Sequence, residues 1–303
     1  MNTQTIITTY FQKKEQLTIE NQFYQHLVSD LFSWLMKNDQ VQNDLTTKTL
    51  FDEDKHVSAR IITRQNIIVA GIEEILFLLG KHTSLDIKQE ARDTDHLQAG
   101  NTLLTLSGSL YELLAYERIL LNMLQRMCGI ATETASVLSK IDGDKPQIAA
   151  TRKTHWGLLD KKAVAVGGGL THRLNLSDGI LVKDNHIFSL SPKAVLQKLL
   201  SSVENMLIEI EVENEDHLKE LVDTFSNHQT TNALAILLDN FSPQEAKKII
   251  NKRETSDGIV YEASGGITKE NITEWVKAGV DIISLGSLTH SPKAANLSLD
   301  LVI

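Results

Sequence analysis

Five cationic or imidazole side chains stand close together in a chain that is acidic as a whole. They are Arg152, Lys153, His172, Arg173 and Lys183, whereas the complete sequence has a net charge of −9. A guanidinium group pairs bidentately with a carboxylate, and a lysine supplies a point charge for a phosphate or a carboxylate. The cluster therefore predicts a dicarboxylate ligand bound together with a phosphate. A set of surface ion pairs is the alternative.

Two carboxylates, Glu211 and Asp239, each end an apolar run and have no histidine beside them. Mg²⁺ prefers oxygen ligands, keeps much of its water, and is commonly held by one or two carboxylates together with substrate phosphates. The pair therefore predicts a magnesium site. Pairing with the nearby cations is the alternative, and both roles can coexist when the metal is absent.

Glycine-containing turns follow the last two apolar runs. They are SGG, at Ser264, Gly265 and Gly266, and LGSLTH around Gly286. Glycine lets a phosphate approach the backbone N–H groups, and barrel enzymes often bind phosphate in the loops after their last strands. The turns predict a phosphate site, with ordinary turns as the alternative. A separate GGG at 167–169 could bring the chain close to a ligand or could end a helix.

The elements that must position these residues are short apolar runs separated by amphipathic stretches. The runs are QIAAT, GILVKD, MLIEIEVE, ALAILLDN, GIVYEASGG and DIISLGS. Parallel strands need a crossover between them, usually a helix, so this rhythm predicts successive βα units and a barrel. In such barrels the active site lies at the carboxyl ends of the strands. The charged residues and glycines stand where those strands would end, so one site could gather them.

The first part of the chain mixes helical and strand patterns, as in an α+β domain. QFYQHLVSDLFSWLMKND has helical spacing, and Asp44 or Thr46 could cap or turn the chain after it. SARIITRQNIIVAG indicates strands, and GIEEILFLLG a helix that ends at Gly80. LYELLAYERILLNMLQRMCGIATETASVLSKI predicts one long helix, or two helices broken near Gly129. Residues 1–20 allow either a short helix on the first domain or a loose tail.

Composition excludes several classes of protein. The chain of 303 residues is 42% hydrophobic and 23% charged, as in globular proteins. Its acidic balance argues against a general nucleic-acid binder. Cys128 is the only cysteine, which rules out an internal disulfide and a multi-cysteine metal site. No apolar run approaches the roughly 20 residues that span a bilayer, so a cytoplasmic protein is expected.

At this point the motifs resemble those of a known family. ATRKTHWGLLDKKAVAVGGGLTHRLNLSDGILVKDNHI resembles the signature of the quinolinate phosphoribosyltransferases, also called carboxylating nicotinate-nucleotide pyrophosphorylases. ERILLNMLQRMCGIAT resembles the family's linker helix, and NDLTT its amino-terminal motif. IEIEVEN, LLDN, EASGGIT and ISLGSLTHS resemble its later barrel motifs in the same order. The resemblance runs from about Asn43 and is strongest between Ala115 and Ser291.

The resemblance implies a fold and a reaction. The fold is an α/β one, with an N-terminal α/β sandwich domain at 1–118, rejoined by the tail 289–303, and an incomplete, TIM-like α/β barrel at 119–288. The reaction joins quinolinate to phosphoribosyl pyrophosphate and yields nicotinate mononucleotide, carbon dioxide and pyrophosphate, in de novo NAD biosynthesis. It uses Mg²⁺ and no organic cofactor. The family also implies a homodimer, or dimers assembled into a hexamer.

The resemblance further implies a role for each matching residue. Arg152, His172, Arg173 and Lys183 match the quinolinate pocket, and Arg118 matches an arginine supplied by the partner subunit. Lys153, Glu211 and Asp239 match positions that serve phosphoribosyl pyrophosphate and its magnesium, and with Lys183 they form the expected catalytic group. Ser264, Gly265, Gly266 and Gly286 match the phosphate-binding turns.

This sequence departs from the family pattern at a few positions. His155 and Trp156 stand where the family more often has a proline and small residues, so an altered pocket rim is expected. Cys128 replaces a serine and is interpreted as a small buried helix residue, not as a nucleophile. The glycines expected before NDLTT are missing from KNDQVQNDLTT.

Two other functions compete with this interpretation. A related pyrophosphorylase associated with molybdenum transport would act on another acceptor, and Lys183 within KDNH distinguishes the quinolinate branch from it. A non-catalytic relative that senses a nucleotide or dicarboxylate would bind without turnover. Every required cation and carboxylate is present in the sequence, which favours the enzyme.

Overall fold

The computed structural model describes residues 1–143, 145–187, 190–253 and 258–302. Its strands are β1 (His56–Thr63), β2 (Ile67–Ile68), β3 (Asp86–Gln89), β4 (His96–Leu97), β5 (Thr102–Ser109), β6 (Gln147–Ala149), β7 (Ile180–Val182), β8 (Leu207–Val212), β9 (Ala233–Asp239), β10 (Ile259–Ser264), β11 (Ile282–Ser284) and β12 (Leu297–Val302). Its α-helices are α1 (Thr3–Ile6), α2 (Gln22–Asp39), α3 (Leu45–Leu50), α4 (Ile72–His82), α5 (Leu110–Leu138), α6 (Leu158–Val166), α7 (Asp184–Ile187), α8 (Pro192–Leu200), α9 (Glu215–Ser226), α10 (Pro243–Asn251), α11 (Ile272–Ala278) and α12 (Ser287–His290). A π-helical turn at Ile7–Phe11 continues α1, and 3-10 turns lie at Lys14–Gln16 and Val41–Asn43.

Two compact units are interleaved along the chain. The first comprises residues 1–13, 137–153 and 169–287, and the second comprises residues 14–136, 154–168 and 288–303. The predicted domains, 1–118 with the tail 289–303 and 119–288, have different limits and stay a prediction. Ile303, the last residue of that tail, lies outside the described residues.

The first unit is built on six parallel strands in the order β6-β11-β10-β9-β8-β7. Each predicted apolar run contains one of them, and every residue of β8 is buried, as expected for a parallel sheet covered on both faces. Among the residues that the structure describes, β6 and β7 form the two edges of this sheet. The predicted incomplete α/β barrel is therefore confirmed.

The N-terminal segment belongs to the first unit. Its α1 helix and π-turn carry Ile6, Ile7 and Phe11, each at most 1% exposed. These side chains pack with apolar residues of the barrel unit, namely Ala149, Leu170, Leu207, Ala233, Ala235, Val260 and Ile282. The short helix left open for residues 1–20 is therefore found in the first part, but its predicted position on the N-terminal domain was wrong, because its apolar side chains pack into the barrel's core.

The second unit contains a four-stranded antiparallel sheet in the order β12-β1-β5-β3 and a small β2-β4 pair. Strand β12 pairs with β1, so that Ile61 lies opposite Leu299. The C-terminal tail therefore completes a sheet whose other strands come from the first part of the chain. This agrees with the predicted N-terminal sheet domain.

The long helical pattern forms one continuous helix, α5, without a break at Gly129. A Cβ on Gly129 would lie 2.2 Å from the carbonyl oxygen of Lys293, so this glycine permits two backbones to approach closely. The predicted end of α4 at Gly80 was wrong, because the helix continues to His82 before Thr83 N–H closes the last turn on Leu79 O. Within the described ranges no helix has both the length and the apolar character to cross a membrane.

A buried ionic cluster connects α2, α4 and α6 in the second unit. Lys162 Nζ lies 2.6 Å from Glu73 Oε2 and 3.9 Å from Glu74 Oε1. Tyr24 donates its hydroxyl hydrogen to Glu74 Oε1 at 2.7 Å, and the carboxylates of Glu73, Glu74 and Asp93 lie within 4.8 Å of one another. Burial and the charge of Asp93 raise the pKa of Glu74 to about 7. The charge of Lys162 opposes this rise, so the lysine partly offsets the repulsion between the carboxylates.

Candidate active site

A cavity of about 370 Å³ opens at the carboxyl ends of the six parallel strands. Each strand, or the segment directly after it, contributes lining residues, as expected for an α/β barrel. The lining residues are Thr151, Arg152, Lys153, His172, Arg173, Leu181, Lys183, Glu209, Leu237, Asp239, Glu262, Ser264 and Ser284. The structure therefore brings together the cations that the sequence analysis singled out, with Asp239 and Ser264.

Lys183 and Glu211 form an ion pair beside the cavity. Lys183 follows β7, Glu211 lies near the end of the neighbouring strand β8, and Nζ is 2.9 Å from Oε2. Burial alone would lower the pKa of Lys183, but the hydrogen bond and charge of Glu211 raise it above its ordinary value. Lys183 is thus a fixed positive charge at the rim. Glu211 does not line the cavity itself.

Asp239 ends β9 next to the glycine turn. Its Oδ2 accepts a hydrogen bond from Asn240 Nδ2 at 2.7 Å. Gly265 has φ +88°, and a Cβ there would lie 2.6 Å from Asn240 Oδ1. A side chain at Gly265 would therefore collide with Asn240, whose neighbour Asp239 faces the cavity. The glycine lets the turn after β10 lie close to the end of β9, beside Ser264.

His172 lies at the inner end of the cavity between two carboxylates. Its Nε2 is 3.3 Å from an oxygen of Glu209 and 3.3 Å from one of Glu262. Its Nδ1 accepts a hydrogen bond of 2.7 Å from the backbone N–H of Arg173, so the imidazole hydrogen lies on Nε2, facing the two acids. The residue has φ +53°, a left-handed conformation that non-glycine residues adopt only when their surroundings impose it.

The charges of this inner group are coupled. Burial lowers the pKa of His172, but the charges of Glu262 and Glu209 outweigh burial and raise the pKa to about 10. Burial and the charge of Glu262 also raise the pKa of Glu209. The imidazole of His172 and the carboxyl of Glu209 therefore influence each other's protonation. Glu209 Oε1 and Ser284 Oγ are buried without a hydrogen-bond partner among the described residues.

The arginines stand further out along the same wall. Arg173 is half-buried, its Nη1 donates to Gly179 O at 3.3 Å, and burial lowers the pKa of its guanidinium from the usual value. Arg152 and Lys153 are exposed in the segment after β6. A negatively charged ligand would therefore meet two guanidinium groups and two lysines at the mouth of the cavity.

Four predicted site residues do not line the cavity, besides Glu211. Gly265 and Gly266 lie in the turn after β10 at φ +88° and +60°, and Gly286 follows β11. Arg118 lies on α5 in the second unit, with its side chain 59% exposed and 3.6 Å from Glu117. Its predicted role in a partner subunit's site stays a prediction.

The positions that depart from the family pattern have structural partners of their own. The guanidinium carbon of Arg126 lies 5.3 Å from the centre of the Trp156 ring, and Arg126 pairs bidentately with Asp160. Neither His155 nor Trp156 is among the cavity-lining residues. Cys128 is buried, and burial raises the pKa of its thiol to about 12, which agrees with a core role.

Glu209 and Glu262 are functional candidates that were not predicted from the sequence. The predicted site residues stand at the ends of the apolar runs, whereas these two acids stand inside IEIEV and VYEAS. A carboxylate inside an otherwise apolar strand is rare unless it is paired, and alternate strand residues face the same side. Glu209 therefore lies on the same face of β8 as Glu211, and the alternation that indicates this is visible in the sequence.

Glu211 and Asp239 fit a magnesium ion. They offer carboxylate oxygens near the ends of adjacent strands. Glu211 of β8 is opposite Leu237 of β9, so Asp239 lies two residues beyond that pair and faces the same side of the sheet. Mg²⁺ keeps water and takes substrate phosphates as further ligands, so these two carboxylates would hold it from one side, and this role stays a prediction. Lys183 balances the charge of Glu211 in this structure.

Comparison with known proteins agrees with this architecture. The family model for the quinolinate phosphoribosyl transferase C-terminal domain matches residues 130–300, and the one for its N-terminal domain matches residues 44–128. A probable carboxylating nicotinate-nucleotide pyrophosphorylase of Methanothermobacter thermautotrophicus is 34% identical over 287 residues, which are 90% of this chain and 98% of the relative. The carboxylating nicotinate-nucleotide pyrophosphorylase of Mycobacterium leprae is 32% identical over 265 residues, 85% of this chain and 91% of the relative.

Solved structures give the same result. The nicotinate-nucleotide pyrophosphorylase of Francisella tularensis superposes with a TM-score of 0.83 at 29% identity, covering 91% of this chain and 96% of that one. The enzyme of Ehrlichia chaffeensis has a TM-score of 0.78 at 33% identity, with 90% and 98% covered. The chain thus belongs to the quinolinate phosphoribosyltransferase family.

Proposed function

We propose that this chain catalyses the transfer of the phosphoribosyl group from phosphoribosyl pyrophosphate to quinolinate, with release of pyrophosphate and carbon dioxide, in NAD biosynthesis. The observation that carries the proposal is the cavity at the strand ends, where Arg152, Arg173 and Lys183 face an acidic inner group in a member of this family. A dianionic pyridine dicarboxylate matches two guanidinium groups and a lysine.

Quinolinate binding is assigned to the cationic wall. Arg152 and Arg173 bind its carboxylates, Lys183 adds a point charge, and His172, paired with Glu209 and Glu262, lines the inner end. The partner subunit's equivalent of Arg118 contributes a further guanidinium in a homodimer. Mixing inactive Arg118→Ala and Lys183→Ala proteins tests that arrangement, because a heterodimer with one intact site regains activity. Heterodimers that stay inactive would contradict it.

The phosphoribosyl pyrophosphate is assigned to the opposite side. Lys153 and the turns at Ser264, Gly265, Gly266 and Gly286 bind its phosphates, and Glu211 with Asp239 hold its magnesium. When bound, Mg²⁺ neutralises negative charge on the departing pyrophosphate. Lys183 pairs with Glu211 and lines the cavity beside the arginines, which supports a position for it between the two substrates.

The chemistry needs positioning and electrostatics more than proton transfer. The lone pair of the pyridine nitrogen forms a bond to the anomeric carbon, while the bond from that carbon to the pyrophosphate oxygen breaks. The C–C bond to the neighbouring carboxylate then breaks, and its electron pair stays on the ring carbon beside the cationic nitrogen. A proton from solvent completes nicotinate mononucleotide. Localisation in the cytoplasm is part of the same proposal.

The test is an assay of purified protein with quinolinate, phosphoribosyl pyrophosphate and magnesium, following nicotinate mononucleotide and carbon dioxide. Nicotinate serves as the control acceptor. Product from quinolinate, but not from nicotinate, is expected. Turnover of a different acceptor would favour the related pyrophosphorylase, and binding of phosphoribosyl pyrophosphate without any turnover would favour a sensor. An assay without Mg²⁺ tests whether the reaction needs the metal, and full activity without it would refute the proposed magnesium site.

A further inference from the structure

The conformation of His172 depends on contacts from outside the barrel strands. Its imidazole is held by Glu209 and Glu262, but its backbone, at φ +53°, is fixed elsewhere. The His172 N–H donates to the carbonyl oxygen of Phe11 at 2.9 Å. The same oxygen accepts a hydrogen bond from the Thr171 hydroxyl at 3.1 Å. One carbonyl of the N-terminal segment therefore fixes the cavity-lining His172 and Thr171 directly before it.

The Phe11 ring also touches the imidazole directly. The two ring centroids are 4.9 Å apart with an interplanar angle of 76°, an edge-to-face pair. Both side chains are buried, Phe11 at 0% and His172 at 7% exposure. Such pairs have a preferred geometry, so the phenyl ring restricts the rotation of the imidazole.

Neighbouring residues of the N-terminal segment reinforce this attachment. The Lys13 N–H donates to Thr171 Oγ1 at 2.8 Å, and Lys13 Nζ lies 3.5 Å from Asp178. Gln12 Nε2 donates to Gly169 O at 3.3 Å. The segment from 169 to 173, which carries His172 and Arg173 into the cavity, is thus attached to the segment from 11 to 13. The family models match residues 44–128 and 130–300, so these N-terminal residues precede both.

We propose that Phe11 is a positioning residue for acceptor binding: its carbonyl and ring hold His172 in the orientation that receives the pyridine dicarboxylate. This inference rests on the proposed function, because it uses the acceptor that His172 is assigned to bind. Phe11 does not touch the cavity. It acts through His172 and has no role in binding the phosphoribosyl donor.

Phe11→Leu tests the proposal, since leucine keeps an apolar side chain and the backbone carbonyl but removes the ring. Ile7→Ala is the matched control, because Ile7 is an equally buried side chain of the same segment. Phe11→Leu is expected to raise the KM for quinolinate roughly three- to tenfold, the range that an aromatic pair supports. The kcat and the KM for phosphoribosyl pyrophosphate should stay within about twofold. Ile7→Ala is expected to lower the Tm and leave the KM for quinolinate unchanged.

A quinolinate KM that stays unchanged in Phe11→Leu, or that rises equally in Ile7→Ala, would overturn the proposal and leave the proposed function standing. If the wild-type protein does not turn over quinolinate, the proposed function fails. The positioning of His172 by Phe11 is then tested by ¹⁵N-histidine NMR, which reports the protonation of the ring nitrogens. His172→Asn identifies the resonances of His172. Loss of the Nε2-protonated pattern in Phe11→Leu would support positioning, and its persistence would overturn it.

Discussion

The chain contains two buried groups of acids that resemble each other in composition and differ in what faces them. In the second unit, Glu73, Glu74 and Asp93 lie together, and Lys162 pairs with the first two; this is called the closed group below. In the barrel unit, Glu209 and Glu262 face the imidazole of His172 and line a cavity, and this is called the open group. We expect the buried charge of the closed group to serve stability and that of the open group to serve ligand binding.

The largest expected effect comes from removing the cation of the closed group. Lys162→Met leaves buried carboxylates without a partner, which should lower the free energy of unfolding by about 3–5 kcal/mol at pH 8. Urea denaturation measures this loss. Lys193→Met, which changes an exposed lysine, is the control and should change it by less than about 0.5 kcal/mol. A small loss in Lys162→Met would show that the acids do not depend on the lysine.

The second prediction concerns pH and the same group. Burial raises the pKa of Glu74 from its ordinary value of 4.5 to about 7 in the folded protein, so the native state binds more protons than the unfolded state between these two pH values. The stabilising contribution is complete below pH 4.5 and is lost as the pH rises through 7, on the order of 3 kcal/mol in total. Subtracting the pH profile of Glu74→Gln from that of the wild type isolates it. If the pH profiles of the wild type and Glu74→Gln ran parallel, the raised pKa of Glu74 would be refuted.

The third prediction changes the open group. Glu262→Gln should lower kcat/KM by up to roughly a hundredfold, because His172 loses one of the two carboxylates that orient it. The Tm should not fall, since the change removes a like charge next to Glu209. Glu220→Gln, on the exposed face of α9, is the control. A drop in Tm with unchanged kcat/KM would place this acid among the purely structural ones.

The smallest effect is expected at Cys128, a neutral neighbour of the closed group. Its thiol is buried with a pKa of about 12, so iodoacetamide at pH 8 should leave the folded protein unlabelled and label it in urea. Cys128→Ser should keep full activity and change the free energy of unfolding by less than about 1 kcal/mol, because a hydroxyl can replace the contacts of the thiol with Ala70. Rapid labelling of the native protein, measured by mass, would contradict the assignment.

The strands of the barrel could be predicted from the sequence because each is a short apolar run that ends at a polar residue. The convergence of Arg152, Lys183 and Asp239 on one cavity followed from the same pattern. The acids Glu209 and Glu262 were missed because attention to strand ends overlooks inward-facing residues in the middle of a strand. Their position in otherwise apolar runs was nevertheless visible.

Features that depend on distant partners could not be predicted. Ile6, Ile7 and Phe11 show no regular period, and their core contacts reach residues as far along the chain as Ile282. Gly129 suggested a helix break, yet its role is a close approach to Lys293, more than one hundred and sixty positions away in sequence. Local sequence patterns carry no information about such contacts, because the residues around one partner do not identify the distant residue that it will contact.

The N-terminal segment also sets the order in which the chain can fold. Ile6, Ile7 and Phe11 are synthesised before all of their core partners, which include Val260 and Ile282. Contacts between residues so far apart in sequence close slowly, since the loop between them must be ordered first. The barrel interior is therefore completed only after the strands that contain Val260 and Ile282 have been synthesised.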